Sequence, residues 1–274
     1  MRLSVDHTTH YRFSGPVARG LQRLRLTPKS SAGQSIAQWS IQLEGARREV
    51  EYDDENANHV TLIAFEPGVS EVTIRCEGVV DTNDKSGIVG HHSGYLPIWH
   101  FRQQTELTAA GPRVRALLAG LNSGPGGRQD TLARLHALSD LVRSNVAYAA
   151  GYTDPATTAE GVLAAGHGVC QDHAHVFIGA ARALGIPARY VSGYLMMTDR
   201  VDQEAGHAWA EALVDGLGWV GFDISNGISP DPHYVRVATG RDYRDAAPIT
   251  GISYGALDET MHVKLAVAQQ RVEQ

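Results

Sequence analysis

Residues His167 to Pro187 have the sequence HGVCQDHAHVFIGAARALGIP, and the interpretation of the whole chain starts from this stretch. Cys170 follows a short glycine-containing segment and stands at the start of an apolar pattern with helical spacing. The apolar positions are Ala174, Phe177, Ile178, Ala181 and Leu184. Gly185 suits the left-handed residue that ends a helix, and Pro187 cannot continue one. The stretch therefore predicts a helix that begins at the thiol.

A thiol at a helix N-terminus lies beside unpaired backbone N–H groups and the positive end of the helix dipole. Both stabilise a thiolate relative to a thiol, so Cys170 is a candidate nucleophile. Gly166 and Gly168 permit a tight turn into the helix and close approach by a substrate backbone. A nucleophilic cysteine also requires a base, and the base requires a third group that fixes its tautomer.

Residues 207–226, HAWAEALVDGLGWVGFDISN, have the alternating pattern of a β-hairpin. A loop of residues 214–216 places His207 directly opposite Asp223, on one face of the hairpin. The competing loop of residues 215–218 leaves these two side chains about 10 Å apart along the strand. We predict the first register, because it brings an imidazole and a carboxylate together beside the candidate nucleophile.

The composition restricts the possible partners. The chain has 274 residues, of which 43% are hydrophobic, and a formal net charge of -6 without a cluster of Lys or Arg. This balance argues against nucleic-acid binding. No run of about 18 apolar residues predicts a membrane span, and the opening MRLSVDHTTHYRF lacks the apolar centre of a signal peptide. We therefore expect a soluble, cytoplasmic protein, in which Cys76 and Cys170 are free thiols.

The first hundred residues are predicted to form strands, because short alternating segments are separated by Gly, Pro, Asn and Asp. The six segments are Leu3 to Phe13, Leu21 to Pro28, Ser35 to Gly45, Arg48 to Asp54, His59 to Glu66 and Ser70 to Val80. Their spacing indicates a β-sandwich or barrel. Residues 82–107 are predicted to be a linker or long loop, with a domain boundary near Thr105. The expected division is a β-rich domain at 1–104 and a second domain at 105–274.

Three helices are predicted between the boundary and the cysteine. The first spans Pro112 to Ala119, the second follows Asp130 as N-cap and extends through Asn145, and the third covers residues 158–165. A glycine-rich break from Asn122 to Gln129 separates the first two. We expect an α+β protein, with a run of strands followed by these helices.

The strings GVCQDHAHVFIGAARALGIPARYVSGYL, HAWAEALV and GWVGFD resemble the bacterial transglutaminase-like superfamily. The resemblance covers about Tyr148 to Pro248, and the β-rich first part resembles the N-terminal domain of that bacterial branch. It implies a papain-like, transglutaminase-core domain with a cysteine-bearing helix packed on an antiparallel sheet, preceded by a β-sandwich-like domain. The catalytic nucleophile, base and orienting acid that it implies are Cys170, His207 and Asp223. The chain departs from the family's Asp-Pro-Thr-Asn at Asp223-Ile224-Ser225-Asn226, which keeps the carboxylate.

The implied chemistry is acyl transfer from a peptide or isopeptide amide through an acyl-thioester. The backbone N–H of Cys170 and one further donor, Gln171 or Tyr148, are expected to bind the oxyanion. Trp209 is expected near the substrate. Resolution by water gives a cysteine peptidase or amidase, which we favour, and resolution by an amine gives a protein-glutamine γ-glutamyltransferase. A non-catalytic peptide-binding module is a further alternative, and no cofactor is implied.

Two groups of side chains contain residue types that bind metal ions, but their spacing does not match a known kind of metal site. His173 and His175 lie near the thiol but lack a fourth ligand, so packing or hydrogen bonding is the expected role. Asp199, Asp202 and Glu204 lack the regular spacing of a calcium loop. We predict no metal site. The partner is expected to be a peptide or protein substrate, and the sequence leaves the oligomeric state open.

Overall fold

A computed structural model describes residues 1–122, 130–255 and 258–270. The glycine-rich break predicted from Asn122 to Gln129 lies, after its first residue, outside these ranges. In the described ranges the α-helices are α1 (Pro112–Asn122), α2 (Thr131–Asn145), α3 (Ala159–Ala165), α4 (Cys170–Ala183) and α5 (Tyr243–Ala246), with a 3₁₀-helix at Ile98–Arg102. The strands of the first part are β1 (Arg2–Val17), β2 (Arg19–Leu24), β3 (Gln34–Glu44), β4 (Ala46–Asp53), β5 (His59–Phe65), β6 (Val69–Thr82) and β7 (Ile88–Gly90). The later strands are β8 (Ala147–Tyr148), β9 (His167–Gly168), β10 (Ala188–Leu195), β11 (Asp202–Gln203), β12 (His207–Val214), β13 (Gly218–Phe222), β14 (Tyr234–Gly240), β15 (Ile249–Tyr254) and β16 (Glu259–Gln269).

The first six strands form a β-sandwich. One sheet has the order β11-β16-β1-β6-β3 and the other has the order β15-β2-β5-β4. Side chains from both sheets, including Phe13, Phe65 and Ile74, form one buried cluster between them. Alternate residues of β1 are buried, as expected for a strand with one face in a core. The six predicted strands and the α+β class are confirmed.

The sandwich is completed by the end of the chain. β16 pairs with β1 along its length, from Leu3 opposite Gln269 to Phe13 opposite Glu259. β15 pairs with β2, with Leu24 opposite Ile249. The proposed division at residue 105 stays a prediction, and the pairing shows that three strands from beyond it, β11, β15 and β16, belong to the N-terminal sheets.

The second part of the fold is a five-stranded antiparallel sheet, the core sheet, with the order β14-β10-β12-β13-β7. Helix α4 packs against it. The predicted helix from Cys170 is confirmed, and Gly185 follows it in the left-handed region at φ 80°. The sequence predicted one apolar face for this helix, but every residue from Asp172 to Arg182 is buried. The reason is that α1, α2 and α3 cover the sides of α4 that do not face the sheet.

The segment predicted as a linker contributes a strand to this five-stranded sheet. β7 pairs with β13, with Ile88 opposite Val220 and Gly90 opposite Trp219. Phe101, in the 3₁₀-helix, is buried against the Trp219 ring at a centroid distance of 5.2 Å. Burial of these aromatic side chains therefore packs the segment against the core sheet, whereas a linker or long loop was predicted.

The sandwich and the core sheet meet at an apolar cluster. Its members are Leu3, Val5, Val80, Leu265 and Val267 from the sandwich and Tyr194, Val235 and Val237 from the core. The Gln34 side chain adds hydrogen bonds to the backbone of Arg236, donating to its carbonyl at 2.8 Å and accepting from its N–H at 2.8 Å. Apolar burial and satisfied polar groups together fix the sandwich beside the cysteine. In the described ranges, no helix has the length and apolar character needed to cross a bilayer.

Candidate active site

Cys170 is the first residue of α4, and it is partly exposed. The residue before it, Val169, has an extended backbone, and its N–H donates to the Asp172 carboxylate at 2.8 Å. The hydroxyl of Thr153 donates to the same oxygen at 2.6 Å. Asp172 therefore fixes the path of the chain as it reaches the nucleophile, with a carboxylate in the first turn, where the helix dipole favours negative charge.

The two glycines before the cysteine have different roles. Gly166 has φ 69°, which supplies the tight turn that the sequence predicted. At Gly168 a Cβ would lie 2.7 Å from the Cβ of Asp172. The close approach at Gly168 is thus made by the chain's own carboxylate, and no substrate backbone is needed to explain this glycine.

Asp223 lies directly behind His207. The Oδ2 atom of Asp223 accepts hydrogen bonds from His207 Nε2, Tyr234 OH and Asn226 Nδ2, each at 2.7 Å. Its Oδ1 atom accepts from the Asn226 N–H at 3.2 Å. Asp223 is fully buried, so these donors replace the water that the carboxylate loses. Cys170 lies close enough to the His207 side chain to contribute to its raised pKa, and because Nε2 is taken by Asp223, Nδ1 is the ring nitrogen left to interact with the thiol.

The hairpin register differs from the predicted one by two residues. Leu213 pairs with Trp219, where the prediction paired it with Leu217, so the loop comprises residues 215–217. Gly216 and Gly218 adopt positive φ angles of 82° and 83°, and this turn geometry sets the register. The prediction that His207 lies directly opposite Asp223 is therefore wrong.

The two side chains still share a face, because strand side chains alternate with a period of two. Regular pairing of β12 with β13 ends at Ala210 opposite Phe222. Asp223 instead forms a bridge to Ile228, which closes a tight turn after the strand. Because Asp223 lies just beyond the last paired residue of β13, its carboxylate contacts His207 on the neighbouring strand although the two residues are not paired.

Burial and the neighbouring side chains of Asp223 and Cys170 act in opposite directions on the pKa of His207. Burial alone would lower the pKa of the imidazole, but the interactions with Asp223 and Cys170 outweigh it and raise the pKa to about 10. Burial would raise the pKa of Asp223, but the hydrogen bond and charge of His207 lower it below the usual range. At neutral pH this arrangement favours an imidazolium paired with the Asp223 carboxylate.

A buried ion triad supports the hairpin on the same face. The Glu211 carboxylate is fully buried and accepts from Arg189 Nε at 2.6 Å and Arg236 Nε at 2.7 Å. Burial would raise the pKa of Glu211, but the two guanidinium groups lower it to about 2. The Arg189 guanidinium also lies 4.0 Å from the centre of the Trp219 ring. The triad links β10, β12 and β14, the strands around His207.

The two histidines of α4 have structural partners. The Nδ1 atom of His173 forms a hydrogen bond with Ser225 Oγ at 2.8 Å, and its Nε2 atom lies 2.9 Å from the Val146 carbonyl oxygen. His175 Nε2 accepts from the Tyr243 N–H at 3.1 Å. The hydrogen-bonding role expected for these histidines is thereby observed, and His173 ties α4 to the segment after Asp223. Within the described residues, no group of three His, Cys, Asp or Glu side chains is arranged to hold a metal ion.

Two cavities adjoin the His207 side chain. The sandwich-side cavity, of about 350 Å³, is lined by Cys170, Gln171 and His207 together with residues of β1 and β16. The Tyr148-side cavity, of about 550 Å³, is lined by Tyr148, His207 and Asp231, among others. Among the residues that the structure describes, His207 alone lines both. The imidazole thus stands between two spaces that could hold the two halves of a substrate.

The three weaker sequence candidates lie at different places. Gln171 lines the sandwich-side cavity next to Cys170. Tyr148 is exposed, and its pKa is raised by burial of part of the ring and by the nearby charge of Cys170. Trp209 is buried, with its ring 6.2 Å from the His207 ring and 5.5 Å from Tyr234, and it lines neither cavity. Its contacts support a role in orienting the imidazole, and a direct substrate contact stays a prediction.

Three site residues were missed by sequence reasoning. Asp172 occupies the third helical position, where a carboxylate commonly caps the N-terminus, so the capping pattern could have found it. Asn226 follows Asp223 by three residues, a local turn spacing that offered a weaker signal. Tyr234 lies on a different strand, and nothing in the sequence indicates that its hydroxyl reaches Asp223.

The fold and site together define an α+β protein in which a cysteine begins a buried helix packed on an antiparallel sheet, with a histidine and an aspartate on that sheet. Residues 121–224 match the core of the transglutaminase-like superfamily, and residues 3–81 match the bacterial transglutaminase-like N-terminal region. The chain therefore belongs to this superfamily, with a transglutaminase-like core behind the bacterial N-terminal region. The resemblance inferred from the sequence is confirmed.

Similar proteins cover nearly the whole chain. The uncharacterized protein ML0607 of Mycobacterium leprae is 29% identical over 264 residues, covering 93% of this chain and 94% of that protein. The uncharacterized protein Rv2569c of Mycobacterium tuberculosis is 28% identical over 280 residues, covering 92% and 88%. The crystal structure of a "Putative Cysteine Protease" from Cytophaga hutchinsonii superposes with a TM-score of 0.78 at 21% identity, covering 100% of this chain and 92% of that one. This likeness supports the fold.

Proposed function

We propose that the chain is a cysteine-nucleophile enzyme that cleaves peptide or isopeptide amides through Cys170, His207 and Asp223. One observation carries this proposal: the His207 imidazole is held by Asp223 at 2.7 Å and lies beside a cysteine at a helix N-terminus, at the edge of two cavities. Each residue alone has a structural explanation. Their convergence, with donors added behind the carboxylate by Tyr234 and Asn226, is the arrangement that nucleophilic catalysis requires.

In the first half of the reaction, the Cys170 thiolate attacks the amide carbonyl carbon and a C–S bond forms. The oxyanion is bound by the N–H of Cys170, which belongs to the first turn of α4 and has no acceptor within the helix. Tyr148 and Gln171 are the proposed second donors, since each lies beside the cysteine. The His207 imidazolium then donates its proton to the leaving nitrogen, the C–N bond breaks, and an acyl-thioester remains.

In the second half, His207 accepts a proton from water as the water oxygen attacks the thioester. The C–S bond breaks, the acid product leaves, and the thiolate is regenerated beside the imidazolium. Asp223 keeps the imidazole in one orientation and stabilises its charged form throughout. The function we favour is therefore that of a cysteine peptidase or amidase.

A second candidate is transamidation, in which a primary amine replaces water. The observation that favours it is the acidic lining of the Tyr148-side cavity, where Asp199 and Asp231 contribute carboxylates. Asp231 is paired with His233 at 2.9 Å and Asp199 lies 3.7 Å from Arg200, so both carboxylates are partly compensated. A cationic amine such as lysine would still find more favourable surroundings there than an anion.

The experiment that tests both candidates is mass spectrometry of the protein and its products after incubation with a proteome-derived peptide mixture. The chemistry predicts a mass increase on Cys170 equal to an acyl group, absent in Cys170→Ala. Acid products in water alone support a hydrolase, whereas adducts of an added primary amine support a transferase. If no acyl group forms and the wild-type thiol reacts with a peptidyl electrophile no faster than free cysteine, a non-catalytic peptide-binding module is the remaining interpretation.

A further inference from the structure

The sandwich-side cavity has walls from two distant parts of the chain. In the sandwich, Thr9 pairs with Val263 and Tyr11 pairs with Met261, so these side chains lie on one face of the β1–β16 pair. All four line the cavity, opposite Cys170 at the start of α4. The N-terminal region therefore forms part of the surface that faces the proposed nucleophile.

The two cavities differ in their relation to the thiol. Cys170 and Gln171 line the sandwich-side cavity, and the residues that line the Tyr148-side cavity do not include them. An acyl group bound to the sulfur extends into the space that contains the sulfur. The nitrogen that His207 protonates departs toward the other side, because His207 borders both spaces.

Charge distinguishes the sandwich-side cavity as well. Among the described residues that line it, none is Asp, Glu or Lys. Arg25 is the one guanidinium, and its Nε donates to the buried Asp54 carboxylate at 2.9 Å. Its charge is thus paired inside the protein, while its buried Nη1 atom has no hydrogen-bond partner in the part of the chain that the structure describes.

The polar groups at the inner end of this cavity satisfy one another. His7 Nδ1 lies 2.9 Å from Tyr194 OH, and His7 Nε2 lies 3.2 Å from Thr9 Oγ1. Burial lowers the pKa of His7 to about 4, so its ring is neutral at neutral pH. The remaining lining is largely aliphatic and aromatic, which favours an apolar occupant without a charge.

We propose that the sandwich-side cavity is the acyl-group subsite and that it selects an uncharged, largely apolar acyl substituent. The N-terminal sandwich then contributes to substrate specificity through Thr9, Tyr11, Met261 and Val263. The volume of about 350 Å³ lies in the range of small-ligand sites. This inference rests on the proposed function, because it requires that Cys170 carry the acyl group.

The test uses 4-nitrophenyl esters, which deliver different acyl groups with one leaving group. The thiolate attacks the ester carbonyl, the C–S bond forms, the C–O bond breaks, and coloured 4-nitrophenolate departs. The acyl groups are acetyl, 4-phenylbutyryl, the anionic 4-(4-carboxyphenyl)butyryl and the cationic 4-(4-guanidinophenyl)butyryl, in which the para charge cannot reach the ester carbonyl of its own molecule. Rates are divided by those with free cysteine, which removes differences in intrinsic reactivity. We expect the 4-phenylbutyryl group to acylate Cys170 at least tenfold faster than either charged group.

A matched pair of variants tests whether the preference for one acyl group over another arises in the sandwich-side cavity. Met261→Trp narrows the mouth of the cavity at a half-exposed position, whereas His262→Trp adds the same bulk to the opposite face of β16. We expect Met261→Trp to reduce the preference for 4-phenylbutyryl over acetyl at least fivefold and His262→Trp to leave it unchanged. The acetyl rate reports an intact nucleophile in each variant, because the acetyl group ends close to the sulfur.

The outcomes separate the inference from the proposed function. Equal normalised rates for the charged and apolar groups, or a Met261→Trp preference equal to that of His262→Trp, would overturn the acyl subsite while Cys170 is still acylated. Absence of acylation by every ester, with Cys170 unmodified in the intact-protein mass, would overturn the proposed function itself.

Discussion

The Nε2 atom of His207 lies 2.7 Å from Oδ2 of Asp223, although the two residues do not pair in the β-hairpin that carries them. The contact is diagonal and depends on a turn that begins at Asp223, where the carboxylate leaves the regular strand ladder. Tyr234 and Asn226 hold the same oxygen from other directions. The position of the carboxylate is therefore fixed by three elements, of which the hairpin is only one.

Asp223→Asn removes the charge that holds the imidazolium while preserving most of the side-chain shape. We expect the rate of Cys170 acylation to fall by about 10²–10⁴-fold, because the base loses its orienting partner. Tyr234→Phe removes one donor to Asp223 and leaves the carboxylate bound to His207, so its rate should fall much less. Release of 4-nitrophenolate from the acetyl ester measures both. Similar losses in the two variants would contradict the assigned role of Asp223.

The raised pKa of His207 should make stability depend on pH. The imidazole has a pKa of about 10 in the folded protein against 6.5 for the free side chain, so the folded state binds a proton that the unfolded chain has released. This stabilisation is complete below about pH 6.5 and is lost as the pH rises through about 10. Urea unfolding between about pH 8.5 and 10, where the unfolded chain has also released the proton of its cysteine, should show a steeper loss of stability for the wild type than for Asp223→Asn. Parallel curves would contradict the ion-pair interpretation.

The two cysteines should differ sharply toward iodoacetamide. Cys76 is fully buried on β6, and burial raises its pKa to about 12, so its thiolate is scarce. Cys170 is partly exposed beside His207. We expect one fast alkylation at pH 7, located on Cys170 by peptide mass spectrometry. It should vanish in Cys170→Ala and persist in Cys76→Ala, and comparable labelling of both thiols would be inconsistent with this environment.

Gly168→Ala tests the anchoring of the nucleophile. The added Cβ would lie 2.7 Å from the Asp172 Cβ and must displace the carboxylate that holds Val169. We expect a loss of about 1–3 kcal/mol in the free energy of unfolding, typical of overpacking, together with slower acylation. Gly161→Ala, in α3, is the matched control, since its Cβ would meet the nearest atom at an ordinary 3.4 Å. An acylation rate in Gly168→Ala equal to that of the control would argue against this anchoring role.

Glu211→Gln should destabilise the core sheet. It leaves Arg189 and Arg236 without their buried counter-charge, at a cost of about 3–5 kcal/mol. The matched substitution Glu71→Gln breaks a half-exposed pair with Arg12 and should cost about 0–1 kcal/mol. Urea unfolding at pH 7 measures both changes. Near-equal costs would show that the buried triad does not stabilise the protein as its geometry indicates.

Much of the fold was predictable because local patterns agree with the tertiary structure. The six N-terminal strands follow alternation and turn residues, and α4 follows an apolar pattern that ends at Gly185. β7 was not predicted, because three residues are too few to show an alternating pattern and the strand forms by pairing with Trp219 and Val220 of β13. The return of β15 and β16 to the sandwich is a long-range pairing, which no local pattern specifies.

For the candidate site, the sequence by itself determined the candidate residues: a thiol at the start of a helix, and an imidazole and a carboxylate that point to the same face of a hairpin. A register shift of two residues leaves each side chain on the same face of a strand. The sequence therefore placed His207 and Asp223 on one face correctly, although the predicted loop was wrong. Only the tertiary structure decided how they meet. The diagonal contact, the Tyr234 hydroxyl behind the carboxylate and the cavity between sandwich and thiol all join elements far apart in the chain. Such contacts form by packing of whole sheets, and packing is not encoded in any single stretch of residues.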